Sequence, residues 1–208
     1  IKIGTKVLST EDGTLDVDFL AHLVDQVVQL KKQGHEIVLV TSGAVGAGKS
    51  IITLQDARSD VVKKQIFAAV GQVKLMTTYS ELFAKHRYYC AQVLATKEDF
   101  RDEEHYRNMQ NCFEGLLLDN VIPIVNENDV TATTELLFTD NDELAGFVAK
   151  QLQATNLIIL TTTEGILDDQ KKTIPEVNAS NIDRVVSFIT PDKSTGGRDG
   201  MTSKLKVA

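Results

Sequence analysis

Two short polar clusters contain the side chains best suited to chemistry. Residues 126–129 read Asn-Glu-Asn-Asp, and residues 140–143 read Asp-Asn-Asp-Glu. Amides and carboxylates held together in this way can bind a small polar molecule and orient reacting groups. Asn and Asp also form turns and helix caps, and for a single cluster we would prefer that structural interpretation. Two clusters on either side of a short connection favour a binding site.

The segments next to these clusters predict that they lie at one edge of a sheet. Residues 121–125, Val-Ile-Pro-Ile-Val, are apolar and short enough to form one buried strand. Leu144, Val148 and Leu152 follow the second cluster at intervals of four, which predicts a helix. Ligands of open α/β sheets bind just outside the carboxyl ends of the strands. The first cluster stands at that position, directly after its strand.

Apolar strands alternate with amphipathic helices along the rest of the chain. Further strands are predicted at residues 1–3, 37–40, 90–94, 157–160 and 174–177. Helices are predicted at residues 16–33, 60–70, 73–86 and 103–119, and from residue 201 onward. This alternation indicates an α/β fold with a mainly parallel sheet covered on both faces. We find no repeat, low-complexity tract or linker, so residues 1–208 are predicted to form a single domain.

Composition argues against several classes of partner. The net charge of −7 argues against a nucleic-acid-binding surface. The sequence has no apolar run long enough to span a bilayer and no signal peptide, so a membrane is not an expected partner. Cys90 and Cys112 form no Cys-x-x-Cys pair, which fits a reducing, cytoplasmic setting. The four histidines are scattered, and we interpret them as surface residues rather than metal ligands.

One further motif offers an alternative. Residues 43–50 match the phosphate-binding pattern Gly-x-x-x-x-Gly-Lys-Ser and follow a predicted strand. In such a P-loop, Lys49 would contact the β- and γ-phosphates of a nucleotide and Ser50 would bind Mg²⁺. A P-loop phosphotransferase should also have an apolar strand ending in Asp for Mg²⁺. The two most apolar strands end in Asn126 and Thr161 instead.

Seven segments, taken in order along the chain, resemble the amino acid kinase family. They are residues 2–5 (KIGT), 40–45 (VTSGAV), 68–72 (AAVGQ), 91–94 (AQVL), 123–129 (PIVNEND), 138–142 (FTDND) and 200–205 (GMTSKL). The two polar clusters together are more specific than any single glycine loop, and they are similar to those of members that phosphorylate free glutamate. The family fold is a three-layer α/β/α sandwich with a mainly parallel sheet, as the strand and helix pattern also predicts.

The resemblance implies ATP-dependent phosphorylation of the side-chain carboxylate of L-glutamate to L-glutamyl 5-phosphate, the first step of proline biosynthesis. Lys2 and Lys204 would contact the phosphoryl group in transfer, and Asp142 would hold both lysines. A carboxylate is already ionised at pH 7, so the reaction needs no general base. It does need cations and N–H donors placed in advance to bring two anions together. Mg²⁺ is expected mostly on ATP oxygens and water, without a dedicated protein metal site.

The same resemblance implies the substrate contacts. The residues implied for glutamate are Ser42, Gly43, Ala44, Asn126, Asp129 and Asn141. The residues implied for ATP are Lys2, Gly4, Thr161, Thr162, Gly200, Met201 and Lys204. Among the first set, Asp129 would meet the α-ammonium group, which supplies the charge complementarity that an amino acid requires. Family members that act on acetylglutamate, aspartate, carbamate or UMP are alternatives, as is a non-catalytic module that senses an amino acid or nucleotide.

The chain departs from the family pattern on the nucleotide side. Thr161-Thr162 stands where the family usually has Thr-Asp, and residues 195–201 contain an insertion within Thr-Gly-Gly-Met. We expect the C-terminal end of the family fold, and the RNA-modification-like (PUA) domain of many bacterial members, to be missing from these residues. The resemblance also implies a homo-oligomer, either a dimer or a tetramer, and feedback inhibition by proline.

Overall fold

A computed structural model describes residues 1–55, 57–131 and 140–188. Its strands are β1 (Lys2–Ile3), β2 (Leu39–Val40), β3 (Cys90–Ala95), β4 (Ile122–Glu127) and β5 (Ile159–Leu160). Its α-helices are α1 (Val17–Lys32), α2 (Ala44–Lys49), α3 (Asp60–Lys85), α4 (Glu103–Leu118), α5 (Asn141–Gln151) and α6 (Ile182–Phe188). The strands form one sheet in the order β3-β4-β2-β1-β5, and every pairing is parallel. The predicted α/β fold with a mainly parallel sheet is confirmed.

Two apolar clusters lie on the two faces of the sheet. Leu39 and Ile124 belong to one cluster, which also contains buried side chains of α1 and α3. Their strand neighbours Val40 and Val125 belong to the other, with buried side chains of α4 and α5. Successive side chains of a strand point to opposite faces, so the sheet has a helical layer on each side. This is the predicted α/β/α arrangement, and it leaves the strand ends open for a site.

Two predicted elements differ from the structure. We predicted separate helices at residues 60–70 and 73–86, but α3 is one continuous helix of 26 residues. Gly71 does not break it; a Cβ atom there would lie 1.7 Å from the Ala44 carbonyl oxygen, so this glycine allows α2 and α3 to touch. The short strand predicted at residues 174–177 is also wrong. An isolated antiparallel bridge between Leu167 and Thr173 lies just before it.

Three further expectations concern the helix from residue 201, the end of β4 and membrane-spanning helices. The helix predicted from residue 201 lies outside the described residues. The strand predicted at residues 121–125 extends to Glu127, so the first polar cluster begins inside β4 rather than after it. Among the helices of the described ranges, none combines the length and the apolar character needed to cross a membrane.

Candidate active site

A buried ion pair between Lys2 and Asp142 joins β1 to the start of α5. The Lys2 Nζ atom is 2.6 Å from Asp142 Oδ1, and the two side chains are 7% and 1% exposed. Asp140 caps α5, because its Oδ1 accepts the backbone N–H groups of Asp142 and Glu143 at 2.9 and 3.2 Å. The cap fixes the first turn of the helix and therefore the Asp142 carboxylate. Since a lysine buried this deeply needs a charged partner, the pair holds an ammonium group in a fixed place.

Gly4 keeps the space beside this ammonium group open. It follows β1 directly, and a Cβ atom at this position would lie 3.6 Å from Lys2 Nζ. Such an atom would also lie 3.5 Å from the carbonyl oxygen of Leu160, the last residue of β5. Because glycine has no side chain, a ligand atom could approach the lysine from this side. Lys2, Gly4 and Asp142 therefore lie close together in the structure.

Asn141 connects the second polar cluster to the ends of β2 and β4. Its Nδ2 atom donates to the Thr41 carbonyl oxygen at 2.6 Å, to Ser42 Oγ at 2.8 Å and to Asn126 Oδ1 at 3.1 Å. Asn126 Oδ1 also accepts the backbone N–H of Glu127 at 2.9 Å. Ser42 Oγ accepts from Asn141, which leaves the hydroxyl proton for a second acceptor. The two clusters thus form one polar surface beside the buried ion pair.

The polar surface has three further hydrogen-bonding neighbours, Gln72, Gln92 and Tyr79, that had no assigned role in the sequence analysis. Asn126 Nδ2 donates to Gln72 Oε1 at 2.9 Å, and Gln72 Nε2 donates to Gln92 Oε1 at 3.1 Å. The hydroxyl groups of Thr41 and Tyr79 are 3.0 Å apart. Burial raises the pKa of Tyr79 well above its ordinary value, so this phenol stays protonated. The segments AAVGQ and AQVL carried a signal for both glutamines, but only as part of the family pattern.

Gly43 forms the turn between β2 and α2. Its φ is +99°, in the left-handed region that favours glycine, and it stands at the N-cap of α2. Ala44 opens the helix with its side chain buried, 3% exposed. This turn places Ser42 within reach of Asn141, so the three residues Ser42, Gly43 and Ala44 lie together at the polar surface.

Asp129 lies in the turn after β4 and already has a cationic partner. Lys64 of α3 places its Nζ atom 2.8 Å from Asp129 Oδ1, with side-chain exposures of 45% and 13%. The neighbouring Gln65 donates through Nε2 to the Val130 carbonyl oxygen at 3.1 Å. Two consecutive residues of α3 therefore hold this turn. The sequence did not indicate Lys64, because nothing local predicts which of the helix lysines would face the turn.

The structure describes some of the residues implied for ATP but not all of them. Thr161 and Thr162 follow β5 and are exposed, and the hydroxyl groups of Thr161 and Thr163 are 3.3 Å apart. A cavity of about 490 Å³ opens between α1 and β5; Thr161 lines it, but Lys2 and Asp142 do not. The remaining residues implied for ATP lie outside the described part of the chain, namely Gly200, Met201 and Lys204.

Residues 43–50 do not form a phosphate-binding loop. In a P-loop the residues before the lysine form an open loop, whereas here α2 begins at Ala44 and ends at Lys49. A Cβ atom on Gly71 would lie only 2.4 Å from the Gly48 backbone nitrogen, so α3 covers that N–H group. The Lys49 Nζ atom lies 6.0 Å from the centre of the Phe67 ring. The P-loop alternative is therefore wrong for these residues.

No metal-binding cluster occurs in residues 1–55, 57–131 and 140–188. Within these ranges, no three His, Cys, Asp or Glu side chains lie close enough together to hold a metal ion.

Comparison with known proteins identifies the family. Glutamate 5-kinases of Chlorobaculum tepidum and Bacteroides thetaiotaomicron are each 44% identical to this chain, over 210 and 215 residues. Glutamate 5-kinase 2 of Bacillus subtilis is 43% identical over 213 residues. These matches cover 100%, 100% and 99% of this chain but only 58%, 59% and 57% of those proteins. A sequence model described as the amino acid kinase family matches residues 1–208, so the chain belongs to that family.

Proposed function

We propose that the protein uses ATP to phosphorylate the side-chain carboxylate of L-glutamate, giving L-glutamyl 5-phosphate and ADP. The observation that carries this proposal is the buried Lys2–Asp142 pair next to the polar surface formed by Ser42, Asn126 and Asn141. Relatives named glutamate 5-kinase support the choice of glutamate. Formation of glutamyl 5-phosphate would place the protein at the first step of proline biosynthesis.

In this reaction one oxygen of the glutamate side-chain carboxylate forms a bond to the γ-phosphorus. The bond from that phosphorus to the bridging oxygen of ATP breaks, and ADP leaves. Lys2 keeps Asp142 as a partner through one N–H and can donate others to the phosphoryl oxygens, with Lys204 as the second proposed cation. Asp142 positions Lys2. Charge held in place beforehand stabilises the transferring group without reorganisation during the reaction.

The remaining assignments follow the family resemblance. Mg²⁺ bound to ATP oxygens and water would neutralise phosphate charge. We assign ATP contacts to Gly4, Thr161 and Thr162, and to Gly200 and Met201. We further propose that residues 1–208 form one domain. Assembly into a dimer or tetramer and inhibition by proline remain predictions of the family resemblance.

Selection of glutamate would depend on the charges at both of its ends. Asp129 would pair with the α-ammonium group, which acetylglutamate, carbamate and UMP lack. The side-chain carboxylate would be held by hydrogen bonds from Ser42, Gly43 and Ala44 and from the amides of Asn126 and Asn141. Aspartate carries the same charges on a side chain one methylene shorter, so its reacting oxygen would stop short of the phosphoryl group.

The experiment is a coupled assay of ADP release with ATP and Mg²⁺ in the full-length protein. We expect turnover with L-glutamate, and little with aspartate, N-acetylglutamate, carbamate or UMP. Equal turnover with aspartate or N-acetylglutamate would overturn the substrate assignment. ADP release that is independent of every acceptor would overturn the transferase assignment.

A further inference from the structure

The ion pair between Lys64 and Asp129 is complementary in charge to the ammonium and carboxylate groups that an α-amino acid carries on its α-carbon. Lys64 Nζ and Asp129 Oδ1 are 2.8 Å apart, so an ammonium group and a carboxylate lie side by side. An α-amino acid carries an ammonium group and a carboxylate on one carbon atom. Placed against this pair, its ammonium group would meet Asp129 and its carboxylate would meet Lys64.

Substrate binding as proposed above would change the partners of this pair. If the α-ammonium group of glutamate takes Asp129, Lys64 loses the carboxylate that it contacts now. The Lys64 side chain is 45% exposed and is flexible, so it can shift by a few ångströms at low cost. The α-carboxylate of glutamate is attached to the same carbon atom as its ammonium group. A shift of the Lys64 side chain by a few ångströms would therefore bring its ammonium group to this carboxylate.

Among the residues that the structure describes, Lys2 and Lys97 are two other cations near this edge, and both have carboxylate partners. Lys2 is buried and paired with Asp142 at 2.6 Å. Lys97 is 2.9 Å from Glu143 and its side chain is 16% exposed. Glutamate brings two carboxylates and one ammonium group, and the side-chain carboxylate is expected near Lys2. A second cation would balance the charge of the α-carboxylate, and Lys64 lies beside the residue that would bind the ammonium group.

We propose that Lys64 binds the α-carboxylate of glutamate, exchanging its partner Asp129 for the substrate. It is thus a specificity-determining residue for a free α-amino acid. The inference rests on the proposed function, because it takes Asp129 as the ammonium-binding residue.

The test compares two substrates in two lysine variants of the full-length protein. The substrates are L-glutamate and its α-amide, which keeps the ammonium group and the side-chain carboxylate but carries no charge at the α-carboxyl position. The variants are Lys64→Met and the matched control Lys74→Met, which removes an exposed lysine ten residues further along α3. Methionine is a good helix former, so neither change should disturb the helix.

We expect the wild-type protein to prefer glutamate to the α-amide, measured as the ratio of their kcat/KM values. Lys64→Met should lower this ratio by about tenfold or more, the size expected for a lost hydrogen bond between charged groups. KM for glutamate should rise, while KM for the α-amide should stay constant or fall because Asp129 is released. Lys74→Met should leave the ratio unchanged, and Lys64→Arg should keep most of it.

Each contrary result has a distinct meaning. If Lys64→Met lowers KM for both substrates by one factor, Lys64 only blocks Asp129 and the inference is wrong. If it leaves both KM values unchanged, Lys64 does not touch the substrate and the inference is again wrong. If the wild-type protein turns over neither substrate, the proposed function fails, and the inference fails with it.

Discussion

At the scale of single residues, the Lys2 ammonium group is the one on which transfer should depend most. Lys2→Met removes a charge that would stabilise the phosphoryl group mainly in the transition state. We expect kcat to fall by about a hundredfold or more, which corresponds to roughly 3 kcal/mol. Steady-state kinetics with saturating glutamate and ATP measure this. Lys204→Ala, which removes the second proposed cation, should have a similar effect.

The Lys2 variant needs a control for stability, because it leaves the Asp142 carboxylate buried without its lysine. Thermal unfolding should be measured beside activity, and kcat compared only under conditions where the variant is folded. Lys6→Met is the matched control, since Lys6 lies four residues away and is exposed. A folded Lys2→Met protein with near-normal kcat would contradict the role given to this lysine.

Asp129→Asn should act on binding rather than on the chemical step. An ammonium contact far from the reacting atoms is equally strong in the ground state and the transition state. We therefore expect KM for glutamate to rise by about tenfold or more, with kcat little changed. Initial-rate measurements over a range of glutamate concentrations separate the two constants. A loss confined to kcat would show that Asp129 takes part in the transfer itself.

Residue types near the strand ends were predictable, but their partners were not. The polar clusters around Asn126 and Asn141 indicated a site from local sequence alone. Gln72, which orients Asn126 from a helix 54 positions away in the chain, gave no local signal. Lys64 is one of many helix lysines, and only the approach of α3 to the turn after β4 distinguishes it.

At the scale of elements, the close contact of α2 with α3 is the clearest test of packing. A Cβ atom on Gly71 would lie 1.7 Å from the Ala44 carbonyl oxygen, so the helices would have to move apart. We expect Gly71→Ala to lower the free energy of unfolding by about 3 kcal/mol, at the upper end for overpacking. Chemical denaturation measures the change.

Gly115 provides the matched control for that substitution. It lies inside α4, and a Cβ atom there would have no neighbour within 4 Å. Gly115→Ala should raise the free energy of unfolding by about 0.5–1 kcal/mol, because alanine is the better helix former. Equal effects of the two substitutions would contradict the helix contact.

The β2–α2 connection gives a second test, in which Ser42 and Lys49 are expected to behave in opposite ways. Ser42→Ala removes a hydroxyl group from the polar surface, and we expect kcat/KM for glutamate to fall about tenfold. Lys49→Ala removes an exposed residue from the far end of α2. We expect the free energy of unfolding to change by no more than ~0.5 kcal/mol, and turnover to stay close to normal. An inactive, folded Lys49→Ala protein beside an active Ser42→Ala protein would restore the P-loop interpretation.

The errors in predicting elements have a common physical origin. Glycine lowers helix propensity, so the sequence around Gly71 favoured a break, yet contact with α2 requires a glycine inside the helix. Polar residues usually end a strand, yet β4 continues through Asn126 and Glu127 because both are buried at its end. Tertiary contacts outweighed local preference in both places.

At the scale of the whole molecule, the predicted architecture was correct because periodicity reports burial directly. Short apolar runs became parallel strands, and helices cover both faces of the sheet. The polar side chains then gather where the carboxyl ends of β1, β2 and β4 meet. The net charge of −7 would repel anionic substrates, so their binding would depend on cations placed at this edge.

The most direct measurement is to trap the product with hydroxylamine, which converts an acyl phosphate to a hydroxamate. With ATP, Mg²⁺ and L-glutamate, we predict that glutamyl hydroxamate forms in a 1:1 ratio to ADP, about as fast as ADP appears without the trap. The same reaction with N-acetylglutamate should give almost no hydroxamate. ADP formed without hydroxamate, or hydroxamate formed equally from both acceptors, would contradict the transfer of phosphate to the side-chain carboxylate of free glutamate.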